Sequence, residues 1–272
     1  MITVTKASGT REPFSEEKLR LSIQRAGIPA DIQDQVIAHV NSKLYDNIPT
    51  SEIYQHLGEF LASSNPHAAA KYSLKQAIMA LGPTGYPFEN FIAEIVKTQG
   101  YQTELRSIIQ GACIGHEIDV IAQKESKDGR EKVMIEAKFH NLPGTKTTIH
   151  VALYTKSRFD DVRLNNNFTQ AWIITNTKAT SDVIAYAQCS SMRIISWNYP
   201  EKGNLRDLIE QSGLAPVTTL TDLSLNQMQK LLEQGVILCK DVCKKPSLLD
   251  TLGIEEEKKK HILSQAAFVC NL

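Results

Sequence analysis

Two stretches decide how this chain is read: GHEIDVIAQ, residues 115–123, and VMIEAKFH, residues 133–140. Both are apolar enough for buried strands, yet each carries an acid, Asp119 and Glu136. An unpaired buried carboxylate is costly, so such groups are normally paired or hold a metal. Side chains alternate along a strand with period two. Val133, Ile135, Ala137 and Phe139 then face one way; Met134, Glu136 and Lys138 face the other. Glu136 and Lys138 share a face, about 7 Å apart along the strand. The polar segment KESKDGRE, with a turn at Asp128-Gly129, folds the first strand back beside the second. Asp119 and Glu136 can then meet at one spot. Two carboxylates that close repel unless a cation lies between them or one is protonated. A hard divalent ion such as Mg2+ meets the first condition, since it takes one or two carboxylates and keeps several waters. Lys138 beside them could orient or deprotonate an attacking water, or stabilise charge developing on a phosphate.

Around these strands the chain of 272 residues has ordinary globular composition, 42% hydrophobic and 22% charged, with no long apolar run to span a membrane. The opening MITVTKASGTREPF lacks the apolar core of a signal peptide. Five irregularly spaced cysteines fit reduced thiols and a cytoplasmic location. Formal net charge is zero, so a nucleic-acid partner would have to be drawn by a local patch rather than by the global field.

Three segments are expected. In residues 1–82, ITVTKASGTREPFS reads as a hairpin turning at Ser8-Gly9. Helices follow from Ser15, from Asp31, from Thr50 or Ser51, and from Asn65 with Pro66 at its first position. Residues 83–212 begin with an amphipathic helix, with Phe88, Ile92, Ile95 and Val96 on one face, and YQTELRSIIQGACIG leads into the acid-bearing hairpin. A helix over TIHVALYTKSRFDDVRL, a strand QAWIITNT, a helix SDVIAYAQCSS, a strand MRIISW and a helix NLRDLIEQSG complete an α/β layer with a mixed sheet. Residues 213–272 read as short helices joined by turns at Gly235 and Gly253.

The first segment resembles the ATP-cone domain, a small α+β nucleotide-binding module, through VTKASGTREPFSEEKLRLSIQRA, IPTSEIY and AAKYSLKQAI. The resemblance implies ATP or dATP as effector. Its ligands would be Val4 and Lys6 on the first strand, Arg11 and Phe14 on the second, and Lys18, Leu19 and Ser22 on the first helix. Thr50 matches the family's hydroxyl at the start of the third helix, and Tyr54 stands where some members have histidine. Lys6, Arg11 and Lys18 suit a triphosphate on chemical grounds as well.

An acid in one strand, then acid-x-lysine in the next, resembles the PD-(D/E)XK nuclease superfamily. Asp119 takes the first position and Glu136-Ala137-Lys138 the rest, with the Ala137 carbonyl implied as a further metal ligand. TGYPFENFIAEIVKTQGYQTE is similar to the opening helix of the Mrr-like restriction endonuclease branch, whose helix acid would be Glu89, with Glu94 as the alternative. The chain lacks the glutamine that several Mrr-like enzymes carry at the acid-x-lysine strand, and has His140-Asn141 after it. From Lys138 to Arg158 there is no acid; His140, Lys146, Lys156 and Arg158 are the candidates for holding DNA phosphates. LLDTLGIEEEKKKHIL resembles a helix-hairpin-helix tail, with a packing or dimerisation element as the alternative. The expectation is therefore a Mg2+-dependent endonuclease acting on DNA, controlled by a nucleotide effector and with assembly into a homo-oligomer left open. A catalytically inactive, nucleotide-controlled DNA-binding protein and an RNA-directed nuclease are the rivals.

Overall fold

The computed structural model describes residues 2–6, 9–25, 28, 30–64, 74–126, 129–142 and 144–270. The chain divides into two compact units, Met1–Ala77 and Ile78–Leu272.

In the first unit β1 (Thr3–Thr5) pairs antiparallel with β2 (Arg11–Pro13) and parallel with β3 (Ile48–Pro49). The expected hairpin forms, with Gly9 at φ +79°, a left-handed conformation that glycine adopts without cost. Ser8, its turn partner, lies outside the described residues. Ser15 accepts the Lys18 backbone N–H at 3.3 Å and so caps α1 (Glu16–Arg25). With α2 (Ala30–Lys43) and α3 (Thr50–Ser64), α1 closes a core of Val4, Leu19, Ile23, Val36, Val40, Ile48, Leu57 and Leu61. Residues 74–79 are helical, whereas the helix start expected at Asn65-Pro66 lies outside the described residues.

The second unit holds a five-stranded sheet built from an antiparallel meander and two strands added parallel to it. Helix α4 (Tyr86–Thr98) leads into β4 (Gln102–Gln110), β5 (Gly115–Ser126) and β6 (Gly129–Lys138), an antiparallel meander. The segment from Gln102 was expected only as an approach to the hairpin; it is a full nine-residue strand. It lies at the sheet edge, and its half-exposed residues weaken the alternation that marks a strand in sequence. A two-residue strand, β7 (Lys146–Thr147), precedes helix α5 (Ile149–Asn166), which carries the chain over to β8 (Gln170–Thr175), parallel to β6. Another short strand, β9 (Lys178–Ala179), pairs with β7 and ties the loop after β6 to the end of β8. Helix α6 (Ser181–Cys189) then returns the chain to β10 (Arg193–Ile195), parallel to β8.

One sheet face packs Ile118, Ile121, Met134 and Ile173 under Val151, Phe159 and Val162 of α5 and Val183 and Ala187 of α6. On the α4 side, the Phe88 ring lies 5.6 Å from that of Phe139, and Phe88, Ile92, Ile95 and Val96 are buried. Helix α7 (Leu205–Ser212) is capped by Asn204, which accepts the Asp207 N–H at 3.1 Å. Beyond it come α8 (Leu225–Glu233), α9 (Cys239–Lys244), a 3-10 turn over Pro246–Leu252 and α10 (Glu256–Cys270). Lys240 of α9 reaches Glu94 of α4 at 3.1 Å, so the helical tail is tied to the same unit as the sheet. Among the described residues no helix is long and apolar enough to cross a membrane.

Candidate active site

The β5–β6 ladder pairs Val120 with Ile135 and Ile121 with Met134. The ladder ends there: beyond it Asp119 turns its side chain to the backbone of β6, while Glu136 turns to Tyr154 and Arg158 on α5. The crowding that the sequence anticipates is present electrostatically. The Asp119 carboxyl is pushed up to about 7, by burial first and then by the Glu136 and Glu89 charges, against the opposing effects of the Ala137 N–H and Arg158. Asp119 Oδ2 accepts the backbone N–H of Ala137 at 2.8 Å, which locks the first acid onto the acid-x-lysine segment itself.

Glu136 is buried, with both carboxylate oxygens engaged by α5. Tyr154 donates its hydroxyl to Oε1, and Arg158 donates from Nη1 to Oε2 at 2.7 Å. Tyr154 and Arg158 sit four residues apart, one helical turn, so their polar ends converge on one carboxylate. Burial and the neighbouring Glu136 charge push the Tyr154 hydroxyl well above the usual phenol range, keeping it a donor. Arg158, read from sequence as a cation for DNA phosphates, pairs with the second acid in this structure. Sequence order does not reveal that pairing, because the partner lies on a strand 22 residues earlier.

Glu89, on the first turn of α4, is buried and pairs with Arg106 Nη1 at 3.0 Å. Burial raises its carboxyl above the ordinary range, opposed by Arg106 and reinforced by the Glu117 and Glu136 charges. Glu94, the alternative helix acid, is instead held by Lys97 at 2.7 Å and Lys240 at 3.1 Å. Of the two helix acids, Glu89 is the one whose charge is felt at Asp119. Arg106 was not foreseen as part of the site. It adopts φ +48° inside β4, an uncommon conformation for a residue with a side chain. It also bonds Asn90 at 3.0 Å and lies 5.3 Å from the Tyr86 ring centre.

Lys138 ends β6 opposite Thr175 of β8 and is partly exposed. His140 follows it, its N–H held by Asn176 Oδ1 at 2.8 Å and its Nε2 3.1 Å from Thr147 Oγ1. Burial, then the Lys138 charge, holds its imidazole below the usual histidine range. Its ring is therefore engaged inside the loop, while Lys146 is exposed on β7 and Lys156 pairs with Asp160. The four residues expected to hold phosphates thus occupy different settings: His140 inward, Arg158 on the acid, Lys146 and Lys156 at the surface.

Among the described residues no three His, Cys, Asp or Glu side chains are grouped as a metal site. The donor set that suits a hard ion is smaller: the Asp119 and Glu136 carboxylates, with Ala137 next to Glu136 and bonded through its N–H to Asp119. Oxygen donors of this kind fit magnesium, which completes its shell with water.

In the first unit Lys6 Nζ lies 2.6 Å and Lys18 Nζ 3.2 Å from the two oxygens of Glu12. These two cations do converge, and they converge on a carboxylate that the sequence reading left aside. Lys6, then Lys18, hold the Glu12 carboxyl below the usual range. Arg11 is exposed on β2 opposite Thr5. Val4 and Leu19 are buried, Phe14 packs against the same core, and Ser22 is half-buried on α1. Thr50 opens α3, and Tyr54 is exposed one turn on.

Family models match the chain in three places: the ATP cone domain over residues 2–78, the restriction endonuclease domain of the Mrr_cat type over 82–201, and the AF1548-like C-terminal domain over 216–270. An uncharacterised protein of Archaeoglobus fulgidus is 35% identical over 176 residues, 64% of this chain and 97% of its own length. The solved crystal structure of AF1548, a protein of unknown function, is 34% identical with a TM-score of 0.58, over 69% of this chain and 99% of that one. The chain belongs to this AF1548-like family, its restriction endonuclease-like and C-terminal domains preceded by an ATP cone.

Proposed function

We propose that the protein is a Mg2+-dependent endonuclease that hydrolyses DNA phosphodiesters and is controlled by ATP or dATP at its cone. The observation that supports this reading is the 2.8 Å hydrogen bond from the Ala137 backbone N–H to Asp119 Oδ2, which ties the first acid to the Glu136-Ala137-Lys138 segment. A bound divalent ion would supply Lewis acidity to the phosphate and a source of hydroxide at neutral pH. Asp119 and Glu136, with the Ala137 carbonyl, are the residues that would hold it. Lys138 orients the attacking water or offsets charge on the phosphate in the transition state. Glu89, drawn to Arg106, adds negative charge near the pair and fixes Arg106 at the same end of the sheet. Lys146 and Lys156 hold phosphates without reading bases.

In the cone, Lys6 and Lys18 are the phosphate cations, with Arg11 beside them on the hairpin; Thr50 and Tyr54 at the start of α3 serve the nucleoside end. A nucleotide can act on cleavage only through a difference in its affinity for two states of the chain. The test is incubation of purified protein with supercoiled plasmid and with RNA, in Mg2+ or in chelator, with and without ATP or dATP. Nicking of plasmid in Mg2+ alone supports the reading. Cutting of RNA but not DNA would change the substrate. Tight DNA binding without cutting under any condition would make the protein a nucleotide-controlled DNA binder.

A further inference from the structure

We propose that Arg158 stands in for the metal's charge in the metal-free protein, and that metal binding at the acid pair displaces it from Glu136. This inference rests on the metal reading above and adds a second state of the site to it.

Three observations carry it. Glu136 is buried, and a buried carboxylate needs a countercharge. Its countercharge is the Arg158 guanidinium at 2.7 Å, while Asp119 takes the Ala137 N–H at 2.8 Å and, among the described residues, pairs with no cation at hydrogen-bond distance. One positive charge therefore serves two acids, on one side only. A divalent ion seated between the acids would serve both, and would sit within a few ångströms of Arg158. Like charges that close in a partly buried setting repel strongly. Arg158 and the ion thus compete for the Glu136 carboxylate.

Helix α5 is suited to such an exchange. Arg158 is partly exposed, and its long side chain can move into solvent or onto a phosphate without disturbing the helix. Tyr154 carries no charge, so its hydroxyl can stay on Oε1 and keep the carboxylate aimed while the arginine leaves. Carboxylate ligands held by such outer hydrogen bonds are common around metals. The released guanidinium, at the rim of the site, is then free for the substrate's phosphate, whose oxygens its planar fork can hold bidentately.

The experiment is calorimetric titration of Mn2+ into the full chain without DNA, for the parent, Arg158→Met, Arg158→Lys and Tyr154→Phe. Arg158→Met should bind about tenfold more tightly than the parent, since a charge-assisted hydrogen bond no longer has to be broken. Arg158→Lys, which keeps the charge, should stay within about threefold of the parent, and Tyr154→Phe, which loses the bond that aims the carboxylate, should bind more weakly. Equal or weaker binding by Arg158→Met would overturn the inference while leaving the metal reading intact, making Arg158 an orienting partner of the ligand. No binding by the parent or by Arg158→Met would overturn the metal reading itself, and this inference with it. If Arg158→Met does not fold, a crystal structure of the parent with manganese decides. Arg158 should then have parted from Glu136; an ion at the acids with the 2.7 Å pair still joined contradicts the exchange.

Discussion

Replacing Asp119 with asparagine should stabilise the metal-free protein at pH 8 and lose that advantage as the pH falls toward 4.5. The folded chain holds the Asp119 carboxyl up to about 7, because burial and the Glu136 and Glu89 charges oppose its ionisation. In the unfolded chain the same group titrates near 3.9. Between those values the folded state binds more protons than the unfolded one, so stability falls as pH rises through that window. About three units at about 1.36 kcal/mol each set a ceiling of about 4 kcal/mol on the loss above pH 7. Asparagine removes the repulsion and keeps an oxygen to accept the Ala137 N–H, but its amide hydrogens need partners of their own. A net gain on the order of 2 kcal/mol at pH 8 remains. The assay is urea unfolding in chelator at several pH values, followed by tryptophan fluorescence. Both tryptophans, Trp172 and Trp197, lie in the second unit, so the signal reports the unit that holds the acids. A variant no more stable than the parent at pH 8, or an advantage that does not shrink toward pH 5, would refute the crowding of the two acids.

Lys138→Met keeps the stem and removes the charge; single-turnover cleavage at saturating DNA should slow by about a hundredfold while DNA and metal binding persist. If turnover at saturation stays at the parent level and affinity alone drops, Lys138 is a phosphate contact. ATP or dATP should raise the melting temperature of the first unit by mass action, and Lys18→Ala should reduce the rise. Calorimetry that detects neither nucleotide at millimolar concentration would reduce the cone to a structural module. Asp161, held down to about 2 by His116 first and then by the Cys113 and Ile114 amides, contributes stability above pH 4 that is lost as pH falls toward 2. Asp161→Ala should therefore be less stable than the parent at pH 7 and converge with it near pH 2; a constant gap across that range would mean the carboxylate's charge is not what matters.

The neighbourhood of the two acids was legible because one hairpin turn lays β5 against β6, and Asp119 reaches the Ala137 N–H beside Glu136. The α4 face was legible from its helical period: Phe88, Ile92, Ile95 and Val96 are all buried. Strand β4 was not, because an edge strand is half-solvated and its sequence mixes polar and apolar residues on both faces. The two-residue strands β3, β7 and β9 leave no periodic trace at all. Residues whose role depends on a partner far along the chain were the least legible. Arg158 looks like any surface cation until α5 is laid over β6, and Glu12 looks like a spare acid until the hairpin brings it between Lys6 and Lys18. Arg106 carries a backbone conformation that no propensity announces.

The central claim, that Asp119 and Glu136 form a metal-dependent hydrolytic centre, is tested most directly by Glu136→Ala. Parent and variant would be incubated with supercoiled plasmid in Mg2+ and in chelator, after circular dichroism has shown both to be folded. Removing one of two crowded carboxylates relieves repulsion with Asp119, while the Arg158 head group is free to reach water, so the fold should survive. The account predicts nicking by the parent in Mg2+, none in chelator, and none by the folded variant in either. Cleavage by Glu136→Ala at the parent's rate would contradict it.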